Sequence, residues 1–193
     1  MRKLIIAAGL FVLLPVALMA QETSQETPQA EVYTGFSYLR LEKTNQIGWN
    51  ASVDGNLNRN LGIVSDVSGY YRSDSNTFTG ITRQINGSIH SFMVGPRVSD
   101  PRGRFNPFAQ ALFGWSRVHT NVDASAGSTA LLSTSASTNA FGVALGGGLD
   151  YNLNPMTSVR VLQIDYMMLH ANSDKLQGVR VGGGVVFLMG RKK

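Results

Sequence analysis

The chain has 193 residues and no cysteine, which excludes disulfides, thiolate metal sites and cysteine nucleophiles. Charged residues make up 15%, well below the roughly 25% of ordinary soluble domains. The formal charge of +5 is carried by Arg2, Lys3, Arg191, Lys192 and Lys193; between those ends basic and acidic residues balance at twelve each, so no basic patch argues for nucleic acid.

Residues 1–20 read as a secretory signal peptide: a basic start, an apolar run over 4–19, and an abrupt change to the polar QETSQETPQA of 21–30. The apolar run is shorter than the ~20 residues of a spanning helix. Residues 21–30 are expected to be a flexible leader, and residues 31–193 a single domain. No later run is long enough to cross a bilayer as a helix, so a membrane form of this domain has to be a closed barrel of strands.

From residue 30 onward the pattern alternates with the period of a strand. The first stretch covers 30–41. In 47–57, Trp49, Ala51, Val53 and Leu57 oppose Gly48, Asn50, Ser52, Asp54 and Asn56. In 61–72, Ile63, Val67 and Tyr71 oppose Asp66, Ser68 and Arg72. Stretches 86–98 and 105–118 alternate less cleanly. In 140–152, Phe141, Val143, Leu145, Leu149 and Tyr151 oppose Gly142, Ala144, Gly146, Gly148 and Asp150. In 159–169, Leu162, Ile164, Tyr166 and Met168 oppose Gln163 and Asp165, and in 177–189 Val179, Val181, Val185, Phe187 and Met189 oppose Arg180, Gly182 and Gly184. Eight such strands predict an all-β fold, an eight-stranded antiparallel up-and-down transmembrane β-barrel. Short turns are expected at 58–60, 100–104 and 153–156. Loops are expected at 42–46, 73–85, 119–137 and 171–176, with the Ser/Ala/Thr-rich 123–138 the most mobile.

Eight strands enclose an interior only wide enough for side chains. The small or polar face therefore belongs inside and the bulky face against lipid. Tyr33, Phe36, Tyr38, Trp49, Tyr70, Tyr71, Phe105, Trp115, Phe141, Tyr151, Tyr166 and Phe187 are expected to supply interfacial girdles.

The EVYTGFSYLRL start, the repeated two-faced strands and the RVGGGVVF ending resemble the small outer-membrane β-barrel proteins related to the transmembrane domain of outer membrane protein A. The resemblance spans residues 31–189. That family's last strand carries an assembly signal, which Arg180, Gly182, Val185 and Phe187 fit, although LMGRKK follows the aromatic residue here. The resemblance implies a cell outer-membrane location, contact with outer-membrane lipid and lipopolysaccharide, delivery by periplasmic chaperones and the barrel-assembly machinery, and a monomer without cofactor.

The inward polar residues Asp54, Asp66, Arg72, Arg97, Asp150, Asp165 and Arg180, with Asn50, Gln110 and Gln163, are expected to interlock as a plug, because a buried charge must be paired. The function expected is a structural, envelope or adhesion-type role with at most a narrow pore. Two alternatives are a soluble periplasmic, lipocalin-like carrier of an apolar ligand, and a lipid hydrolase using Ser88 and His90, which share a strand face. No catalytic, cofactor or metal residue is assigned: His90, His119 and His170 are spread too widely for a histidine metal centre.

Overall fold

The computed structural model describes residues 28–42, 44–78, 81–126, 129–171 and 174–191. Eight strands follow one another: β1 (Pro28–Leu41), β2 (Thr44–Asn56), β3 (Leu61–Phe78), β4 (Ile81–Ser99), β5 (Phe105–Ala126), β6 (Thr129–Asn154), β7 (Thr157–Ala171) and β8 (Asp174–Arg191). Each pairs antiparallel with its sequence neighbours, and β1 closes the ring against β8. The described residues contain no helix. The signal peptide and residues 21–27 lie outside the described residues. Pro28, Gln29 and Ala30, read from sequence as leader, instead belong to β1, where Pro28 stands opposite Arg191 of β8.

Alternation sets the wall. Phe36, Trp49, Val67, Phe113, Trp115, Leu145, Ile164 and Phe187 project outward and are exposed. On β6 this apolar band runs from Tyr151 to Phe141, which at strand rise and a barrel tilt of about 40° spans about 26 Å, the height of a lipid-facing band. A water-soluble carrier needs the opposite polarity, with its exterior hydrated. Most of the aromatic residues stand on this outer surface. Tyr33 and Tyr70 do not: both are fully buried in the lumen, because each falls on the inward phase of its strand and finds a polar partner there.

One end of the barrel carries both termini and the turns 57–60, 100–104 and 155–156. The last of these hairpins bends tightly, and Asn154 Oδ1 accepts from the Met156 amide (2.9 Å). In the 100–104 turn, Arg102 Nε and Nη2 donate to Asp100 (2.7 Å each), which holds the Asp100 carboxyl below its ordinary range.

The opposite end departs from the sequence reading. Residues 73–85 and 119–137 are largely not loops. The β3–β4 ladder continues to Phe78 opposite Ile81, and the β5–β6 ladder continues to Ala126 opposite Thr129, with one irregularity at Ala124/Ser125. The residues assigned to a mobile loop at 123–138 are thus mostly paired strand. Ser, Thr and Asn occupy both faces there, so hydrophobic periodicity vanishes although backbone pairing continues. β3 to β6 together project from the barrel mouth as a four-stranded sheet, on the order of 30 Å beyond Phe141 along β6.

Candidate functional site

The lumen is filled by two layers of side chains. Nearer the termini lies a polar network to which all eight strands contribute. Asp54 of β2 pairs with Arg97 of β4. Arg97 Nη2 also donates to Gln110 Oε1 on β5 (2.9 Å), and Gln110 Nε2 donates to Asp165 Oδ1 on β7 (2.9 Å). Arg180 of β8 then joins two strands: its Nε donates to Asp165 Oδ2 (2.8 Å), and its Nη1 crosses the lumen to Asp66 Oδ1 on β3 (2.7 Å). Asn50 Nδ2 donates to Asp66 Oδ2 (3.4 Å), and Asn50 Oδ1 accepts from the Tyr33 hydroxyl of β1 (3.2 Å).

A second branch completes the circuit. Arg160 grips Asp150 of β6 with Nε and Nη2 (2.8 and 3.0 Å), a bidentate fork suited to a carboxylate. Its Nη1 donates to Gln163 Oε1 (2.9 Å), and Gln163 Nε2 donates to Asp165 Oδ2 (2.7 Å). Asp165 therefore collects Gln110, Gln163 and Arg180, and is completely buried.

Aromatic rings brace the cations. The Arg160 guanidinium lies 4.2 Å from the Tyr33 ring centre and 4.3 Å from that of Phe108, and Arg97 lies 4.4 Å from Phe108. Gly148 makes room for that ring: a Cβ there would stand 2.7 Å from a Phe108 ring carbon.

Above this network the lumen turns apolar. Leu39, Leu41, Tyr70, Ile89, Met93, Leu112, Met167 and Leu169 form one buried cluster. The sequence reading expected small or polar residues throughout the interior. This half is instead sealed by packed side chains, with a Ser91–Ser116 hydroxyl pair (2.7 Å) set into it.

Of the residues singled out from sequence, Asp54, Asp66, Arg97, Asp150, Asp165 and Arg180 all meet in the network. Arg72 does not. It faces the mouth, where its Nη1 donates to Thr44 Oγ1 (3.1 Å) and it pairs with Asp74, both side chains being partly exposed. Arg72 lies three inward positions beyond Asp66 on β3, so it has already left the polar layer.

Arg160, which the sequence reading missed, is a principal member. A bulge between Arg160 and Gln163 turns both Val161 and Leu162 outward, so strict alternation counted back from Gln163 puts Arg160 on the wrong face. Phe108 was likewise hidden, since its large apolar side chain reads as lipid-facing. Ser88 and His90 share the outward face of β4 as expected. His90 packs edge-on against Tyr71, with ring centres 5.7 Å apart. A different serine–histidine contact is present, His119 Nδ1 to Ser137 Oγ (2.6 Å), exposed on the projecting sheet. No group of three or more His, Asp or Glu side chains among the described residues has the spacing of a metal centre.

An inward polar network, an outward apolar band and a closed eight-stranded ring define an outer-membrane β-barrel. The chain belongs to the family described as the outer membrane protein beta-barrel domain, whose model matches residues 8–187, and it is a protein of the cell outer membrane. No curated protein matches it. Among solved structures it is similar to neisserial surface protein A, at 13% identity and a TM-score of 0.61, covering 83% of this chain and 96% of that one. It is also similar to Ail, the attachment invasion locus protein of Yersinia pestis, at 16% identity and a TM-score of 0.55, covering 85% and 100%. At these identities the two share its fold.

Proposed function

We propose that this protein is a sealed, non-catalytic outer-membrane barrel that acts at the envelope surface, in integrity or adhesion, and does not pass solutes. The observation that carries this is the lumen: three arginines, four aspartates and two glutamines, with Asn50 and Tyr33, join all eight strands beneath a packed apolar layer. Opening a path would require breaking several charge-assisted hydrogen bonds and unpacking that layer together. The end bearing the termini faces the periplasm, and the projecting sheet faces the exterior, in keeping with short periplasmic turns and long outer excursions. Attachment appears in the name of one structural neighbour, which lends the adhesion reading a second support.

The partners we propose follow from the outer surface. Arg40, His90, Arg117, His170 and Lys175 point outward just beyond the apolar band on the projecting side, with His90 opposite Arg117 and His170 opposite Lys175. That belt suits the phosphates of lipopolysaccharide. Phe187, the aromatic residue of the assembly pattern, faces lipid on β8, as recognition by barrel-assembly machinery would need.

Single-channel recording in planar bilayers tests the central claim. Purified protein should show no stable unitary steps across a range of voltages. Reproducible steps from the wild-type chain would overturn the sealed reading.

A further inference from the structure

We infer, resting on the lipid-contact belt proposed above, that a groove across β7, β8 and β1 at the outer edge of the apolar band binds a phosphoethanolamine head group. The groove, about 550 Å³, is lined by Arg40, Glu42, Tyr166, Lys175, Gln177 and Val179.

Register fixes the order of its charges. Arg40 of β1 stands opposite Val179 of β8, and the Glu42 amide donates to the Gln177 carbonyl (2.9 Å). Val179, Gln177 and Lys175 are successive positions on one face of β8. Glu42 is therefore level with a point between the two bases, and two residues of β8, about 7 Å, separate it from the level of Arg40. The charges do not neutralise one another. Among the described residues, the side chains of Arg40, Glu42 and Lys175 make no hydrogen bond or ion pair. The Tyr166 hydroxyl donates to Gln177 Oε1 (2.7 Å), which leaves Gln177 Nε2 as a donor.

The backbone singles out the acid. Among the described residues Glu42 alone of the non-glycine residues has a positive φ, at 50°. Glycine or asparagine takes that conformation at lower cost. A carboxylate kept there marks a side chain used for contact rather than for folding.

The charge set selects the occupant. A bare phosphate would meet Arg40 and Lys175 but be repelled by Glu42, and a lone divalent cation would be repelled by both bases. Phosphoethanolamine carries both signs on one short group. Its phosphate takes Arg40, Lys175 and the Gln177 amide, and its ammonium takes Glu42. Acyl chains below it would lie over Tyr166 and Val179, both partly exposed at this edge of the band. Phosphatidylethanolamine and lipid A esterified with phosphoethanolamine both present this group.

The test uses the full chain folded in a non-ionic detergent with EDTA present, and counts retained lipid by native mass spectrometry. The probes are phosphatidylethanolamine, phosphatidylglycerol, and lipid A with and without phosphoethanolamine. Wild type should retain the phosphoethanolamine-bearing probes preferentially, and the tighter of the two identifies the source. Glu42→Gln should bind them at least about fivefold more weakly, the upper range for one exposed ion pair, with phosphatidylglycerol and plain lipid A held as well as before. Arg40→Gln should weaken all four. Asp123→Asn makes the same charge change on the projecting sheet and should bind as wild type. Heat-modifiable migration on unboiled gels establishes that the variants remain folded. Equal retention of phosphatidylglycerol and phosphatidylethanolamine, undiminished binding by Glu42→Gln, or binding seen only when EDTA is omitted would overturn the assignment while leaving the phosphate belt standing. Retention of none of the four probes would overturn both.

Discussion

Replacing Arg180 by methionine removes one cation from two carboxylates while keeping a long side chain in the lumen. In the native barrel its Nη1 lies 2.7 Å from Asp66 and its Nε 2.8 Å from Asp165. The variant leaves two anions, from β3 and β7, in a compartment with almost no exposure. Stripping one partner from a buried ion pair costs about 3–5 kcal/mol. Two carboxylates lose their cation here, which pushes toward the upper end. Both keep amide donors, however: Gln110 and Gln163 on Asp165, and Asn50 on Asp66. Hydrogen bonds to charged groups are each worth about 1.5–3 kcal/mol, so those survivors draw the loss back to about 4 kcal/mol. The triple variant Arg180→Met, Asp66→Asn, Asp165→Asn removes cation and anions together. It should recover all but about 1–2 kcal/mol, because neutral groups often replace buried ion pairs at little cost. Urea titration of protein folded into phospholipid vesicles, followed by Trp49 and Trp115 emission, measures both. A single variant within about 1 kcal/mol of wild type, or a triple no more stable than the single, would refute the reasoning.

Leu145→Arg places a charge at mid-height of the outer band and should cost about 2–4 kcal/mol in the same titration, whereas Ser135→Arg on the projecting sheet should cost almost nothing; equal losses would remove the lipid-facing assignment. Gly148→Ala should displace the Phe108 ring and lower stability by about 1–3 kcal/mol, measured by the temperature at which the compact gel form is lost, while Gly103→Ala in an exposed turn leaves that temperature unchanged. Asp100→Asn should cost at most about 1 kcal/mol at pH 7, as exposed pairs do. Because pairing with Arg102 depresses the folded-state pKa, the native carboxylate's contribution is full above the unfolded value and fades as pH falls through the folded one. Wild type and variant should therefore converge well below about pH 4; a gap that widens on acidification would contradict the pairing.

The eight strands, their order and their inward and outward faces were legible because a band of Phe, Trp, Val and Leu recurs at every second position wherever one side meets hydrocarbon. The same rule failed in three physical situations. At Arg160 an extra residue in the wall shifts the phase, so a side chain that counts as outward points in. At 73–85 and 119–137 both faces of the sheet meet water, so no contrast marks the strand. In the outer half of the lumen, Met93, Leu112 and Met167 are large and apolar yet inward, because a sealed interior tolerates grease wherever packing is complete. Asp54, Asp66, Asp150 and Asp165 were identifiable because an acid inside an otherwise apolar alternation has no other stable place to go. Their partners could not be assigned from sequence: the Asp66–Arg180 contact joins residues 114 apart in the chain.

The placement of Arg180 on the final strand bears on how the wall is completed. Until β8 arrives, Asp66 and Asp165 wait without their counterion, and an unfinished sheet has reason to stay open to water. A cylinder sewn shut early, with one staple missing or slipped by two residues, would trap bare anions. The strand that closes the ring thus doubles as a keystone that rewards only the correct circumference.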